Sequence, residues 1–344
     1  MTKQPSVVVV GCGKVGSRWD ETDRRDAVLT HAGAWNRLGV LCALVDSDPV
    51  RLASAGRHWG IDALYTDYRT AFLETRPDIV SIATPTALRL PVVEAAFAAG
   101  ARTLLLEKPV AATLEEVQAI RAAVDGAGAV VAVNYLRRYD PTLRTLAEEI
   151  STGCLGTIQH IVGRYGKGVL ENGSHLIDLV QGWFGAVQRV QVLRCVQDDR
   201  LNQDPTLDAV LELGTIPFYL LAVDHRQYAL FELDLVGTQG RITLTDRCAS
   251  IERWEAMPDP LFPSYRVLRP REALHVDLGH ALLRTAQEVR AVWRGEQSAP
   301  SCTLDDGIAA LRTVLALREA RHAVDGRMQV ELGIPTPFKR KNPL

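Results

Sequence analysis

Residues 7–16 read VVVVGCGKVG. Four consecutive valines suit a strand buried on both faces, because a β-branched side chain packs well on a pleated surface and loses little freedom there. The run empties into Gly11, Gly13 and Gly16, a G-x-G-x-x-G pattern directly after the strand. In a dinucleotide fold the first glycine makes the tight turn, the second lets the backbone approach a pyrophosphate, and the third allows close helix packing. Taken alone the pattern is a weak signal, since a plain surface turn can carry the same glycines. Its place at the end of the first strand gives it weight.

Working outward, short apolar runs alternate with helical patterns: AGAWNRL, VLCALVD, PVRLASAGRHW, IVSIATP, LPVVEAAFAAG, ARTLLLEKP, TLEEVQAIRAAVDGAG and VVAVNYL. That rhythm predicts an N-terminal Rossmann domain over residues 1–134, a doubly wound parallel sheet with helices on both faces. Thr113 followed by Glu116 is a capping-box pattern, and the helix it opens is expected to stop at Gly126.

Beyond Pro141 the rhythm changes. A helix at TLRTLAEEI and a strand at TIQHIVGRYG precede the segment ENGSHLIDLV, residues 171–180. Five or so extended runs then follow from VQRVQVLRCV to ASIERWEAM, joined by polar turns such as Thr238–Gln239, which predicts a large, mainly antiparallel open sheet. Two apolar-periodic helices, near 275–294 and 303–323, close an α/β domain assigned to 135–330, and 331–344 reads as a frayed tail. The overall class is α/β. A chain of 344 residues exceeds the roughly 250–300 at which one core stops growing, consistent with two domains.

Composition narrows the partners. A net charge of -2 leaves no surplus of cations for a nucleic acid or an anionic membrane. No stretch has the length of a membrane span, and the N-terminus lacks a signal-peptide pattern, so a cytoplasmic location is expected. The six cysteines are scattered without a C-x-x-C pair, and His275 and His280 lie five apart, off the spacing of a helical metal pair; no metal is expected.

Around the glycine loop, Gly11, Cys12, Gly13, Lys14, Val15 and Gly16, with Asp46 and Ser47 at the end of the second strand, form the candidate cofactor contacts. An acid about 20 residues on normally binds the ribose hydroxyls. Asp46 stands 30 after Gly16, and the excess reads as a polar insertion, SRWDETDRRDAVLTH. No arginine directly follows Asp46, so NAD is favoured, with Arg51 keeping NADP possible. Farther along, LLLEKPV releases Glu107 and Lys108 at the carboxyl end of an apolar strand, where ligands of open α/β sheets bind. A surface lysine would read the same in isolation.

VVVVGCGKVG, SIATPT, LLLEKPV, VNYLRRYDP and ENGSHLIDLV occur in this order, and together they resemble the Gfo/Idh/MocA family, the glucose-fructose oxidoreductases and inositol dehydrogenases. The resemblance extends over nearly the whole chain, and Glu-Lys-Pro is its most specific mark. It implies NAD(P)-linked hydride transfer to or from a sugar, nucleotide sugar or cyclitol. It also implies that the second-domain sheet forms a homodimer or homotetramer interface, that Thr84 and Pro85 line the cofactor, that Lys108 contacts substrate and nicotinamide, and that His175 is the acid/base. Two positions depart from the family pattern: Glu171 stands where an aspartate is usual, and Arg89 where a histidine is common.

Placed on a helical wheel, Glu171, His175 and Asp178 share one side of a helix and Leu176, Ile177, Val180, Trp183 and Phe184 the other. A solvated stripe has the same pattern, so the wheel alone leaves its role open. Histidine can carry the proton that accompanies hydride transfer, and a carboxylate one turn away can orient its ring. Lys167, Glu171, Asn172, Arg138 and Tyr139 are the candidate substrate contacts. A non-catalytic dinucleotide sensor and an NAD-dependent redox glycosidase remain as alternatives to a dehydrogenase.

Overall fold

The computed structural model describes residues 3–21, 26–196, 204–321 and 329–332. Its contacts divide the chain into two units, residues 1–140 with 277–308, and residues 141–276 with 309–344. The stretch 277–308 therefore packs with the first unit, although it lies inside the expected second domain. The expected tail, including FKRKNPL, falls largely outside the described residues.

The first unit holds a six-stranded sheet. Its strands are β1 (Val7–Val10), β2 (Leu41–Val45), β3 (Leu64–Tyr65), β4 (Ile79–Ile82), β5 (Thr103–Leu106) and β6 (Val130–Val133). All pairs are parallel, in the order β3-β2-β1-β4-β5-β6. The order reverses between β1 and β4, and a crevice for a ligand opens at the carboxyl ends of such a switch point. β1, β4 and β5 are buried along their whole length, as helices on both faces of a parallel sheet require.

The helices between these strands are α1 (Trp19–Glu21), α2 (His31–Arg37), α3 (Pro49–Trp59), α4 (Tyr68–Thr75), α5 (Arg89–Ala98) and α6 (Leu114–Ala127). Local chemistry sets their ends. Asp48 caps α3 through the amides of Val50 and Arg51, Pro49 starts it, and Gly60 ends it in the left-handed region. Thr113 accepts the Glu116 amide as its spacing predicts, while Glu116 receives the Ala112 amide. This helix ends at Gly128, φ 57°, rather than at Gly126, because Gly126 keeps helical backbone, one residue before the helix ends at Ala127, and Gly128 is the residue that turns left-handed.

Segment 277–308 brings α9 (Ala281–Trp293) and the start of α10 (Leu304–Ala320) to this unit. Leu282, Ala286 and Val289 of α9 enter the same core as Val7, Val9, Trp35 and Leu105. Ala132 forms an antiparallel bridge to Thr303, and Arg121 pairs with Asp305, Arg138 with Asp306 and Arg284 with Asp140. The expected polar insertion is also built in where it is described: Ser17 and His31 are fully buried, and Asp20 accepts the amides of Leu29 and Thr30 ahead of α2.

The second unit contains α7 (Pro141–Ser151), α8 (Ser174–Phe184) and nine strands: β7 (Ile158–Tyr165), β8 (Arg189–Val196), β9 (Thr206–Leu213), β10 (Ile216–Ala222), β11 (Phe231–Gly237), β12 (Gly240–Thr245), β13 (Ser250–Pro258), β14 (Arg266–His275) and β15 (Gln329–Glu331). The sheet order is β14-β13-β12-β11-β7-β10-β9-β8-β15, antiparallel except for β7 with β10. Thr238 and Gln239 form the turn between β11 and β12, as the sequence predicts. β14 has no counterpart in the sequence reading. It is an edge strand, mostly exposed, with Pro270 in its middle and Arg266, Arg269, Arg271 and Glu272 along it, so no apolar alternation marks it.

Candidate active site

Around the switch point the glycine loop is drawn tight by contacts that leave no room for side chains. A Cβ on Gly16 would stand 1.9 Å from the Gly11 carbonyl oxygen, and one on Gly11, at φ 100°, would stand 2.7 Å from the Ala83 carbonyl oxygen at the end of β4. Gly13 differs: among the described residues nothing lies within 4 Å of where its Cβ would be. The turn thus keeps open backbone at the position where a dinucleotide fold brings its pyrophosphate. The amides of Ser17 and Arg18 both point to the Gly13 carbonyl at 3.0 Å, making the first helical turn over Lys14–Arg18 wider than an α-turn. Lys14 is exposed and Val15 half-buried on this turn.

Asp46 ties this loop to β2. One carboxylate oxygen accepts the Cys12 amide at 2.8 Å; the other accepts the Asp48 amide at 2.8 Å and Arg51 Nη2 at 2.9 Å. Burial works to raise the Asp46 carboxyl, but the Arg51 guanidinium and the two amides outweigh it and hold it below the usual carboxylate range. Arg51 also pairs with Asp48, so the cation that kept NADP possible faces two carboxylates. Beside this acid, burial first and the Asp46 and Glu21 charges second push the Cys12 thiol up to about 12. Ser47, next in sequence, is exposed.

At the carboxyl end of β4, Thr84 is buried and its Oγ1 has no hydrogen-bond partner among the described residues, while Pro85 is exposed. These features, an open glycine, an acid at the end of β2 and an orphaned hydroxyl after β4, fit a dinucleotide.

After β5 the Glu107 carboxylate turns back on the chain. Its Oε2 accepts the Lys108 amide at 3.1 Å, and Oε1 receives Asn134 Nδ2 at 2.5 Å and lies 3.0 Å from His31 Nε2. His31 Nδ1 lies 2.7 Å from Ser81 Oγ. Burial again opposes the charge, and the contacts with His31, Asn134 and Lys108 outweigh it, so Glu107 stays below the usual range. The Lys108–Pro109 peptide is cis. Arg89, at the start of α5, donates from Nη2 to the Lys108 carbonyl at 3.1 Å. Neither His31, Asn134 nor Arg89 was singled out by sequence as a site residue, because their partners lie 76, 27 and 19 positions away and no local pattern joins them.

The second unit places its candidates on the turn before α8. Here the amides of Asn172 and Gly173 both point to the Gly168 carbonyl at 3.1 Å, another wide turn, over Val169–Gly173. Glu171 lies in this turn rather than on α8, so the stripe drawn on one regular helix is broken. Asp178 does not share the exposure of Glu171: it is 3% exposed, whereas Glu171 is open to solvent and His175 half-buried. The Glu171 carboxylate is 3.4 Å from Lys167 Nζ, and Asn172 Nδ2 donates to the Gly166 carbonyl at 2.9 Å. The His175 ring stands edge-on to Phe231 at 6.4 Å. Asp204, which sequence gave no reason to choose, accepts the amides of Leu170 and Glu171 at 2.7 and 2.8 Å and so pins the turn.

Two expected substrate contacts are engaged otherwise. Arg138 pairs with Asp306 at 2.8 Å, and Tyr139 is buried with its hydroxyl between the carbonyls of Val133 and Cys302, at 3.1 and 3.2 Å. Arg138 ties the turn after β6 to segment 277–308, and Tyr139 ties β6 itself to that segment. Among the described residues no cluster of three His, Cys, Asp or Glu side chains could hold a metal ion, and no helix is long and apolar enough to cross a membrane.

Residues 6–135 match the family model described as "Oxidoreductase family, NAD-binding Rossmann fold". This region belongs to the Gfo/Idh/MocA family. Curated Gfo/Idh/MocA-like relatives include D-apiose dehydrogenase of Paraburkholderia graminis, 29% identical over 179 residues, or 46% of this chain and 48% of that one. Levoglucosan dehydrogenase of Pseudarthrobacter phenanthrenivorans is 30% identical over 128 residues, 37% of this chain and 33% of that one. The chain thus matches about half or less of the length of these relatives. Among solved structures, levoglucosan dehydrogenase with NADH and levoglucosan superposes with a TM-score of 0.80 over 96% of this chain and 100% of its own, at 18% identity. The WlbA dehydrogenase from Bordetella pertussis, with NADH and UDP-GlcNAcA, gives 0.76 over 97% and 100%, at 20% identity. At these identities the likeness establishes the fold.

Proposed function

We propose that the chain is an NAD-dependent dehydrogenase or ketoreductase, moving hydride between nicotinamide and a CH–OH or keto carbon of a sugar, nucleotide sugar or cyclitol. The observation that carries this reading is Lys108 at the carboxyl end of β5, beside the switch point whose glycine loop and Asp46 fit a dinucleotide. Bound nicotinamide would supply the two-electron step at C4. Lys108 would hold the reacting oxygen and stabilise its developing negative charge, an effect stronger away from water. His175 would take the hydroxyl proton during oxidation and return it during reduction, as an imidazole can near neutral pH. Lys167, Glu171 and Asn172, gathered on one turn, would bind hydroxyl or phosphate groups. Arg138 and Tyr139 are reassigned to holding the first unit, on the contacts described above.

NAD is favoured over NADP because Asp46 would repel a 2′-phosphate and Arg51 is already neutralised by two carboxylates. A cytoplasmic homodimer or homotetramer completes the proposal, and light scattering of the purified protein measures the assembly. The deciding experiment titrates NADH fluorescence, then assays NAD+ reduction against a panel of levoglucosan, D-apiose and UDP-sugar acids. Lys108→Ala and His175→Ala should each lower kcat by orders of magnitude with NADH binding retained. Near-normal turnover in both would sink the assignment, and NADH binding without turnover of any sugar would favour a dinucleotide sensor.

A further inference from the structure

We propose that Arg89 is a positioning residue, which with Glu107 clamps both faces of the Lys108 backbone and thereby fixes the direction in which the Lys108 side chain leaves the sheet. The Lys108 amide donates to a carboxylate, Glu107 Oε2, at 3.1 Å, and the Lys108 carbonyl accepts from a guanidinium, Arg89 Nη2, at 3.1 Å. Each polar end of this residue's backbone therefore meets a charge of the matching sign, and charge-assisted hydrogen bonds are about twice as strong as neutral ones. Arg89 Nη2 also stands 3.5 Å from the Thr84 carbonyl, at the limit of a hydrogen bond, so the same guanidinium reaches toward the residue after β4.

Both clamping groups are anchored. Glu107 is gripped by His31 and Asn134, as described above. Arg89 is 3% exposed, and its Nε and Nη1 have no hydrogen-bond partner among the described residues. Burying a cation forfeits its hydration, and an apolar side chain of similar volume fills such a space at lower cost. Packing therefore does not explain an arginine here. Burial pulls the guanidinium down to about 10, with the Glu107 charge opposing, and at neutral pH it remains a cation. What it does at that cost is hold the Lys108 carbonyl.

A lysine side chain is flexible and gives up rotamer freedom when held, so a fixed backbone narrows the volume its ammonium searches. The kinetic consequence rests on Lys108 acting on the substrate; the clamp itself is read without any substrate. Misplacing a reacting group by about 1 Å costs on the order of 100-fold in rate.

The chain has six lysines, so reductive 13C-methylation of the full-length protein gives few signals, and Lys108 is assigned by its loss in Lys108→Arg. In Arg89→Met the Lys108 resonance should move from its wild-type position toward that of exposed lysines. With NAD+ and whichever sugar of the panel turns over, kcat should fall by about 10- to 100-fold while KM and NADH affinity change less than about threefold. Arg89→Lys keeps a cation but loses the planar fork, and should show the same changes at smaller size; it carries the test if Arg89→Met does not fold. An unmoved Lys108 resonance in the folded variant, or kcat within twofold of wild type, overturns the proposal. Full turnover in Lys108→Ala would instead remove the catalytic reading, and the resonance would still decide the clamp.

Discussion

Arg51 Nη2 lies 2.9 Å from the Asp46 carboxylate, whose other oxygen holds the amide of Cys12 in the glycine loop. One side chain thus shapes the turn, pairs with a cation and stands at the end of β2, where a dinucleotide fold binds its ribose. Asp46→Ala should weaken NADH by about 10- to 100-fold, the loss of one or two hydrogen bonds to a charged group. Arg51→Ala should leave NADH within a few-fold and weaken NADPH further. Fluorescence titration with both nucleotides measures each, and stronger NADPH binding by Arg51→Ala would contradict the assignment.

Gly13 and Gly16 should respond oppositely to a methyl group. In Gly13→Ala the Cβ enters open space, so the melting temperature should hold within about 2 °C while NADH affinity drops at least tenfold. In Gly16→Ala the Cβ meets the Gly11 carbonyl, and the fold should lose about 2 kcal/mol or more. Equal melting temperatures for the two variants would refute this division of labour.

Cys12 should resist alkylation at neutral pH. Its thiol, buried and pushed up to about 12, remains protonated across the physiological range, and the thiolate is the nucleophile. Cys154 and Cys195 are exposed and should label first with iodoacetamide at pH 7.5, by peptide mass mapping. Raising the pH toward 12 should bring Cys12 into reaction, provided the fold survives. Early labelling of Cys12 at neutral pH would show that the loop opens.

Asp204 should matter to the second unit beyond its own burial. Asp204→Ala frees the amides of Leu170 and Glu171, at a cost of about 1–2 kcal/mol in stability, comparable to loss of a helix cap. If the turn positions Glu171 and Lys167 for substrate, KM for the accepted sugar should rise while NADH affinity holds. A stability loss with unchanged KM would confine Asp204 to a structural part.

The parts of the site legible from sequence are those written in neighbouring residues. Four valines before a glycine trio, an apolar strand releasing Glu107 and Lys108, and a cap at Thr113 each carry their physics within a few positions, and the two sheets follow from their rhythm. Asp46 is legible as the acid that ends β2, despite its long spacing, because it closes an apolar run. His31, Asn134 and Asp204 escape, and Arg89 shows only as a departure from the family pattern, since each gains its meaning from a partner distant in sequence. The helical wheel failed at Glu171 for another reason: it assumed one regular helix where a wide turn intervenes before Ser174. β14 was invisible because an exposed edge needs no apolar alternation.

Leu282, Ala286 and Val289 lie in the core of the nucleotide unit, yet they follow about 140 residues that build the other one. On the ribosome, the valine strand and its glycine loop emerge well before α9, and their hydrophobic face waits for α9 to be translated before it can close. Residues 141–276 must be made before the core of the first unit can be completed. A gene truncated after residue 140 should yield an aggregation-prone product, and fusing residues 277–308 to it through a short linker should restore a soluble, NADH-binding fragment.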